Sequence, residues 1–476
     1  MTINKVNVTE ALANAEALIR EDKSASPQVR AMMQLLIVVI NLLLNKLGLN
    51  SNNSHIPPSK DPKRPRGSKS KSKGIKRKPG GQIGHEGCTL EKMENPDEVK
   101  TIEVDRRSIP KGDYKEIGYE ARQVIDIKIT KHVKEYRAQI LQNANGNQYV
   151  AKFPTEVTRP AQYGCTIKAQ TVYMSQQQLI PYERVRDYFA DQCGIPVSPG
   201  SLFNFNKQAY ELLETYESLV VQYLINRPLL HADETGINVN GKLLWLHTLC
   251  DGQFTMFLPH EKRGADGMKA MGVLEHFRGI LCHDHWKSYF KLECEHALCN
   301  AHHLRELERA WDQDDQCWAK KMQDLLLEIN DATTKAGGCL IGEAAEQYRQ
   351  RYRNVLDQGD KECPPPDPKD HKGKRGRVAK TKSRNLLERL RDFEAETLRF
   401  MSDILVPFTN NQGENDLRMT KVQQKISGCF RAFEGAQIFC RVRGYLSTCR
   451  KQGVAPTDAL QMLFEGRLPD FVKKLK

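Results

Sequence analysis

Apolar positions near the start of the chain fall on a helical period. Met33, Leu36, Ile40, Leu43 and Leu47 alternate three- and four-residue spacings, which draws one stripe along a helix expected over Ser26 to Gly48. Gln34, Asn41, Asn45 and Lys46 interrupt the run, so it is a poor bilayer span, which needs about 20 apolar residues. A short coiled coil for self-association suits the stripe; packing on the chain's own core is the alternative. Further on the period becomes two. Val99–Val104, Ala121–Ile129 and Tyr136–Leu141 are expected as short strands of a small β module. The helical period returns from Ala169 to Glu214. Tyr182–Phe189 is amphipathic, Gly194–Ser198 is a break, and Ser198 with Pro199 opens the next helix as N-cap and first turn. Helix, short turn and helix match the length of a helix-turn-helix, or of a plain helical pair bridging domains. Lys207 stands nearly alone as a cation on the second helix.

The densest apolar runs come in the middle. Leu229 and Leu230 lead into Asp233 and Glu234. A turn at Asn238–Gly241 starts Leu243–Leu249, and Asp251-Gly252 separates that run from Phe254–Leu258. These are three antiparallel strands. A helix is expected over Asp266 to Phe277, then a strand ending Leu281-Cys282-His283-Asp284. Leu304–Asp331, Ile341–Gln358 and Leu386–Met401 are helical, with a basic loop from Cys363 to Arg384 between the last two.

With 476 residues there is room for two to four domains. The fold class expected is multi-domain α+β. Its units are a helical oligomerisation segment (1–49), a basic linker (50–84), a small β module (85–160), a helical helix-turn-helix-like segment (161–222), a catalytic core (223–430, insertion at about 304–400) and a C-terminal helical segment (431–476). The net charge of +13 points to a polyanionic partner, nucleic acid before membrane. Ten Lys and Arg lie between Lys60 and Pro79 among Ser, Gly and Pro, a composition that buries no core and suits an arm on phosphates. Thirteen cysteines without a paired framework, and no signal-like start at Met1-Thr-Ile-Asn-Lys, suggest a reducing cytosol.

Candidate chemistry lies at strand ends. Three antiparallel strands, a helix and a strand follow the ribonuclease-H-like order, in which the first and fourth strands are neighbours, so Asp233 and Asp284 would stand side by side. Two carboxylates that close repel unless a divalent cation lies between them, and oxygen-only ligands select magnesium or manganese. His283-Asp284-His285 with Tyr289 also suggests a replication-type nuclease, but there an apolar residue should occupy the place of Asp284. Past the insertion, Thr409 or Asn410 can cap a helix on which Glu414, Arg418, Lys421 and Lys425 recur at helical spacing: an acid, then cations to hold phosphate. Cys299-Asn-Ala-His302, with Cys294 nearby, has the spacing of a zinc half-site whose other half is not evident. A structural or DNA-facing role is the reading adopted for it.

Together these segments resemble the transposases of the insertion sequence 66 family. The matching stretches are Asn50–Asp61, Gly80-Gly-Gln-Ile-Gly-His85, Leu179-Ile-Pro-Tyr-Glu-Arg184, His231-Ala-Asp-Glu-Thr235, Cys299-Asn-Ala-His302 and Asn410–Glu414 with Arg418. They run nearly end to end and in order. The resemblance implies a ribonuclease-H-like core with Asp233, Asp284 and Glu414 as catalytic metal ligands holding two Mg²⁺ (or Mn²⁺) ions, and Arg418, Lys421 and Lys425 on DNA. It implies end cleavage and joining of the 3′-hydroxyl to target DNA. The partners implied are DNA at terminal repeats and target, a homo-oligomer of at least two copies, and accessory proteins of the same element, in the bacterial cytoplasm at the nucleoid. The chain departs from the family after Gly80–His85. Paired Cys-x-x-Cys knuckles are replaced by Asp105–Asp113 and Leu141–Gly146, without cysteine, so zinc is not expected in the N-terminal module. Two other functions keep the same fold: an inactive DNA-binding relic or repressor, and a host nuclease without strand transfer.

Overall fold

The computed structural model describes residues 2–3, 6–21, 24, 26–48, 50, 53, 90–366 and 378–475. The basic segment Lys60–Pro79, the Gly80–His85 motif and part of the second basic loop lie outside them.

A short antiparallel pair, β1 (Thr2–Ile3) and β2 (Val6–Asn7), precedes α1 (Val8–Glu21) and α2 (Pro27–Gly48). The expected helix is α2; α1 was not anticipated. Met33, Leu36, Ile40 and Leu43 stand exposed along α2, whereas Ile37 is buried.

The expected β module does not form as such. Among the described residues 90–164, regular strands are confined to a hairpin, β3 (Ile140–Gln142) with β4 (Gln148–Val150). Val99–Val104 and Ala121–Ile129 form no strand, and Ile102, Ile117 and Val124 stand almost fully exposed. Period-two alternation makes a strand only where a second layer covers its apolar face, and among the described residues the apolar side chains of this stretch stay largely uncovered.

The helical segment follows: α3 (Cys165–Val172) running into a π-helical turn at Tyr173–Gln177, α4 (Tyr182–Cys193), α5 (Pro199–Leu212) and α6 (Glu214–Ile225). Gly194 ends α4 in the left-handed conformation, and the Ser198 hydroxyl caps α5 by accepting from the Ser201 amide at 3.1 Å. Leu202, Phe205 and Ala209 of α5 are buried in the main core, and Lys207 pairs with Glu434.

Five strands make the central sheet: β5 (Leu229–Val239), β6 (Lys242–Cys250), β7 (Thr255–His260), β8 (Ile280–His283) and β9 (Glu295–Leu298), in the order β7-β6-β5-β8-β9. β5, β6 and β7 are antiparallel; β8 and β9 run parallel to β5. Asn240 and Gly241 form the β5–β6 loop, both with positive φ (47° and 80°), the geometry that matches strand twist in a two-residue hairpin. Asp251 closes the next turn, its Oδ1 accepting from the amides of Gln253 and Phe254. The helix expected over 266–277 is only α7 (Ala265–Ala270), followed by turns to Phe277.

Side chains alternate along β5. Leu230 and Ala232 enter a core shared with α3–α6. Ile237 and Val239, of opposite parity, pack under Leu417 of α13 (Asn411–Ser427). On that second side, Ile280 and Cys282 of β8 meet the insertion helices α8 (Asn300–Asp314), α9 (Cys317–Lys335), α10 (Gly342–Glu362), α11 (Lys382–Asp392) and α12 (Glu394–Ser402), which share a core around Trp318, Tyr352 and Leu386. Leu304–Asp331 is thus two helices, broken where Asp315 turns left-handed (φ 53°). The C-terminal segment is no appendage. α14 (Phe433–Lys451) lies against β7 so closely that a Cβ at Gly444 would sit 3.1 Å from the Thr255 carbonyl, and α15 (Pro456–Phe464) completes the first core.

Candidate functional site

The β5–β8 register pairs Leu229 with Ile280 and His231 with Cys282. Two residues on, the same offset aligns Asp233 with Asp284, just past the end of β8. Both share the parity of His231 and Cys282, so both face the α13 and insertion side. The expected pairing of the two acids therefore follows from the sheet itself.

Glu414 arrives on α13. Asn410 is the N-cap of that helix, but its side chain does not cap it. Its amide donates to the Ala232 carbonyl at 2.8 Å, and its Oδ1 lies 2.7 Å from His231 Nδ1. Its backbone amide donates to Cys299 Sγ at 3.1 Å. One asparagine thus fastens the start of α13 to β5 and to the foot of α8. Gly413 allows the close approach: a Cβ there would lie 3.5 Å from the Asp233 Cβ and about as close to Asn410.

The electrostatics match that crowding. Burial pushes the Asp233 carboxyl up to about 8, with Glu234, Asp284 and Glu414 adding to the rise; the bond from the Glu234 amide opposes it. Without a counter-ion, Asp233 is protonated at neutral pH. Asp284 accepts from the Trp286 amide at 3.0 Å. The three acids offer oxygen alone, the donor set of magnesium or manganese, and their mutual repulsion is what a divalent cation would relieve. Asp233, Asp284 and Glu414 therefore have the donor chemistry such an ion takes, but in this structure their oxygens are not all within 4.8 Å of one another.

Sequence reasoning missed a second network on the other face of β5. Glu234 points away from Asp233 into the first core, its side chain almost wholly buried. Arg263 donates to its Oε1 through Nε and an amino group (2.8 and 2.7 Å), and the Tyr289 hydroxyl donates to Oε2 at 2.5 Å. The Arg263 guanidinium lies between Trp245 and Trp286, 4.8 and 4.3 Å from their ring centres. Burial and Asp284 nevertheless hold the Glu234 carboxyl above its usual range. No spacing in the sequence marks Arg263, which comes from the loop after β7.

Tyr289 is buried and committed to Glu234, which removes it as a nucleophile. His283 is buried too; its Nδ1 donates to the Asp284 carbonyl and its Nε2 lies 3.1 Å from His296 Nδ1. Burial drives His283 down to about 3 and His285 to about 4. They are neutral packing around Asp284.

Beyond Glu414, Arg418, Lys421 and Lys425 are all exposed on α13. The Lys421 ammonium donates to the Gly236 carbonyl of β5 at 2.8 Å, beside Gln424. Glu414 itself faces the insertion. Its Oε1 lies 3.9 Å from Cys299 Sγ and 3.8 Å from His302 Nδ1, and its Oε2 3.9 Å from Arg305.

No curated protein matches the chain. The model of a family of unknown function matches residues 3–91, and that of the Transposase IS66 family matches residues 160–438, from α3 through the sheet, the insertion and Glu414 into α14. That match spans more than half of the chain and every residue of the carboxylate cluster, and the protein belongs to the IS66 transposase family.

Proposed function

We propose that the protein cleaves DNA at the ends of an insertion sequence and joins the freed 3′-hydroxyl to target DNA, using Asp233, Asp284 and Glu414 as the ligands of a divalent-cation centre. One observation supports this reading above the others: the β5–β8 register sets Asp233 beside Asp284, and α13, fastened to β5 through Asn410, brings Glu414 to the same side, where both acids add to the rise of the Asp233 carboxyl. The strand order and the helical insertion support a ribonuclease-H-like core.

Asp233 and Asp284 would hold Mg²⁺ or Mn²⁺ from the strand ends, and Glu414 from the opposing helix. When bound, the ions would lower the pKa of the attacking water or 3′-hydroxyl and stabilise the leaving oxygen. The chain's own residues do the rest. Asn410 and Gly413 set the approach of α13 to β5. Arg263 and Tyr289 hold Glu234 on the far face and so keep the Asp233 strand in place. Arg418 and Lys425 offer cations to backbone phosphate along the same helix. Lys421, anchored on Gly236, presents its charge from a fixed position. The exposed stripe of α2 would pair copies of the protein across two DNA ends, and the basic segment at 60–79 would add sequence-independent phosphate contacts.

The test is a cleavage and joining assay with purified protein, Mg²⁺ and duplexes carrying the ends that flank the gene. Magnesium-dependent nicking at the terminus, lost in Asp233→Asn while end binding persists, is the expected result. End binding without cutting in either protein, with accessory proteins of the element added, would favour an inactive relic. Cutting without end preference would favour a nuclease.

A further inference from the structure

We propose that Cys299, His302 and Glu414 form a second metal site, selective for a borderline cation of the zinc class and distinct in donor chemistry from the Asp233–Asp284 pair. The three donor atoms all lie within 4.8 Å of one another. Glu414 Oε1 is 3.9 Å from the sulfur and 3.8 Å from His302 Nδ1. A tetrahedral zinc ion with its usual bond lengths holds a sulfur, a nitrogen and an oxygen roughly 3.3–3.6 Å apart, so the two Glu414 edges close by a few tenths of an ångström, and the Cys299–His302 edge, no longer than 4.8 Å, closes with a side-chain adjustment.

The scaffold supports the geometry. Cys299 is the N-cap of α8 and His302 follows in its first turn, with the His302 amide donating to the Cys299 carbonyl at 3.2 Å. The i, i+3 spacing puts both donors on one helix face. Next to them, the Asn300 amide donates to the Phe408 carbonyl at 3.1 Å and the Asn300 side chain to Thr397 at 3.0 Å, so the foot of α8 is tied to the strand of chain that leads into α13. Cys299 is buried, while His302 and Glu414 are partly open, which leaves one side for entry and for a water as fourth ligand. Thiolate and imidazole favour zinc over magnesium, whereas oxygen-only ligands favour magnesium. The half-site visible as Cys299-Asn-Ala-His302 therefore gains its third donor from a residue 115 positions beyond Cys299, which replaces the structural or DNA-facing reading of that motif.

Glu414 belongs to both sets. A zinc-class ion that takes Oε1 removes one oxygen from the cleavage centre and would inhibit it. That consequence rests on the function proposed above; the site does not.

The experiment titrates Co²⁺, a spectroscopic stand-in for zinc, into the full-length protein and follows the thiolate-to-cobalt charge-transfer absorption. One equivalent should give the band, Zn²⁺ should erase it, and millimolar Mg²⁺ should leave it. Cys299→Ser should abolish it, with folding checked by circular dichroism. His302→Gln should weaken cobalt binding by roughly tenfold or more, since even outer-shell changes at metal sites cost about that much. Asp233→Asn should leave the band intact. No thiolate–cobalt band in the wild type, or one that survives Cys299→Ser, overturns the site. Neither result touches the Mg²⁺ cleavage assay, which fails or succeeds separately.

Discussion

Asp233 ties the site to folding stability in a measurable way. Its carboxyl is raised from 3.8 to about 8 in the metal-free protein. At about 1.36 kcal/mol per unit, the folded state bears up to roughly 5–6 kcal/mol of unfavourable charge once Asp233 ionises. Between about pH 6.5 and 8 the folded state holds a proton that the unfolded chain has lost, so Asp233 lowers stability as pH rises. His231, His247, His283, His285, His296 and His303 oppose this slope, because burial keeps them neutral in the folded state while an unfolded histidine is about half protonated near pH 6.5; their contribution is common to wild type and Asp233→Asn, so the difference between the two proteins isolates Asp233. Urea unfolding in EDTA should show the wild type losing about 1–2 kcal/mol relative to Asp233→Asn over this range. Asp233→Asn, isosteric and uncharged, keeps only the histidine slope, so its stability should rise toward pH 8 and exceed that of the wild type at the upper end. Saturating Mg²⁺ should abolish the difference in slope between wild type and variant, because the ion binds the ionised form and neither folded nor unfolded wild type then carries the Asp233 proton. An equal slope in wild type and variant would refute the account of Asp233 as a carboxyl raised by burial and its acidic neighbours.

Acid should act through the histidines. His283 and His285 stay neutral down to about 3 and 4 in the folded state, whereas an unfolded histidine takes its proton near 6.5. Their contribution is complete above that value and is lost as pH falls, so the Asp233→Asn protein should lose about 2–4 kcal/mol between about pH 6.5 and 5 in urea titrations. Arg263→Ala leaves Glu234 buried with only Tyr289. With Arg263 itself over a third exposed, a loss of about 1–3 kcal/mol is expected from urea midpoints, along with weaker Mg²⁺ binding by calorimetry if the strand carrying Asp233 shifts. The ion pair between Asp416 and Lys451 (2.7 Å) is largely buried and also takes the Thr255 hydroxyl, fixing α13 to α14 and β7. Lys451→Met should cost about 3 kcal/mol by thermal unfolding, and Asp416→Leu added to it should recover most of that loss.

The sequence by itself determined what depends on local period and punctuation. The apolar stripe marked α2, Ser198-Pro199 marked the start of α5, and the turn at Asn238–Gly241 marked the join of β5 and β6, because helix period, capping and turn chemistry are properties of a few neighbouring residues. The acids at strand ends were legible for the same reason: a charge that follows an apolar run is visible without a fold. Tertiary structure decided the rest. Alternation at 99–104 and 121–129 produced no strand, since pairing needs a covering layer that the local pattern cannot supply. Arg263 joined Glu234 because the β7 loop folds back over the sheet, and Cys299 met Glu414 because the insertion returns the chain to where it left. Such contacts are set by the closure of long loops around a buried core, and their energy comes from burial and charge between residues a hundred positions apart, which no window along the chain contains.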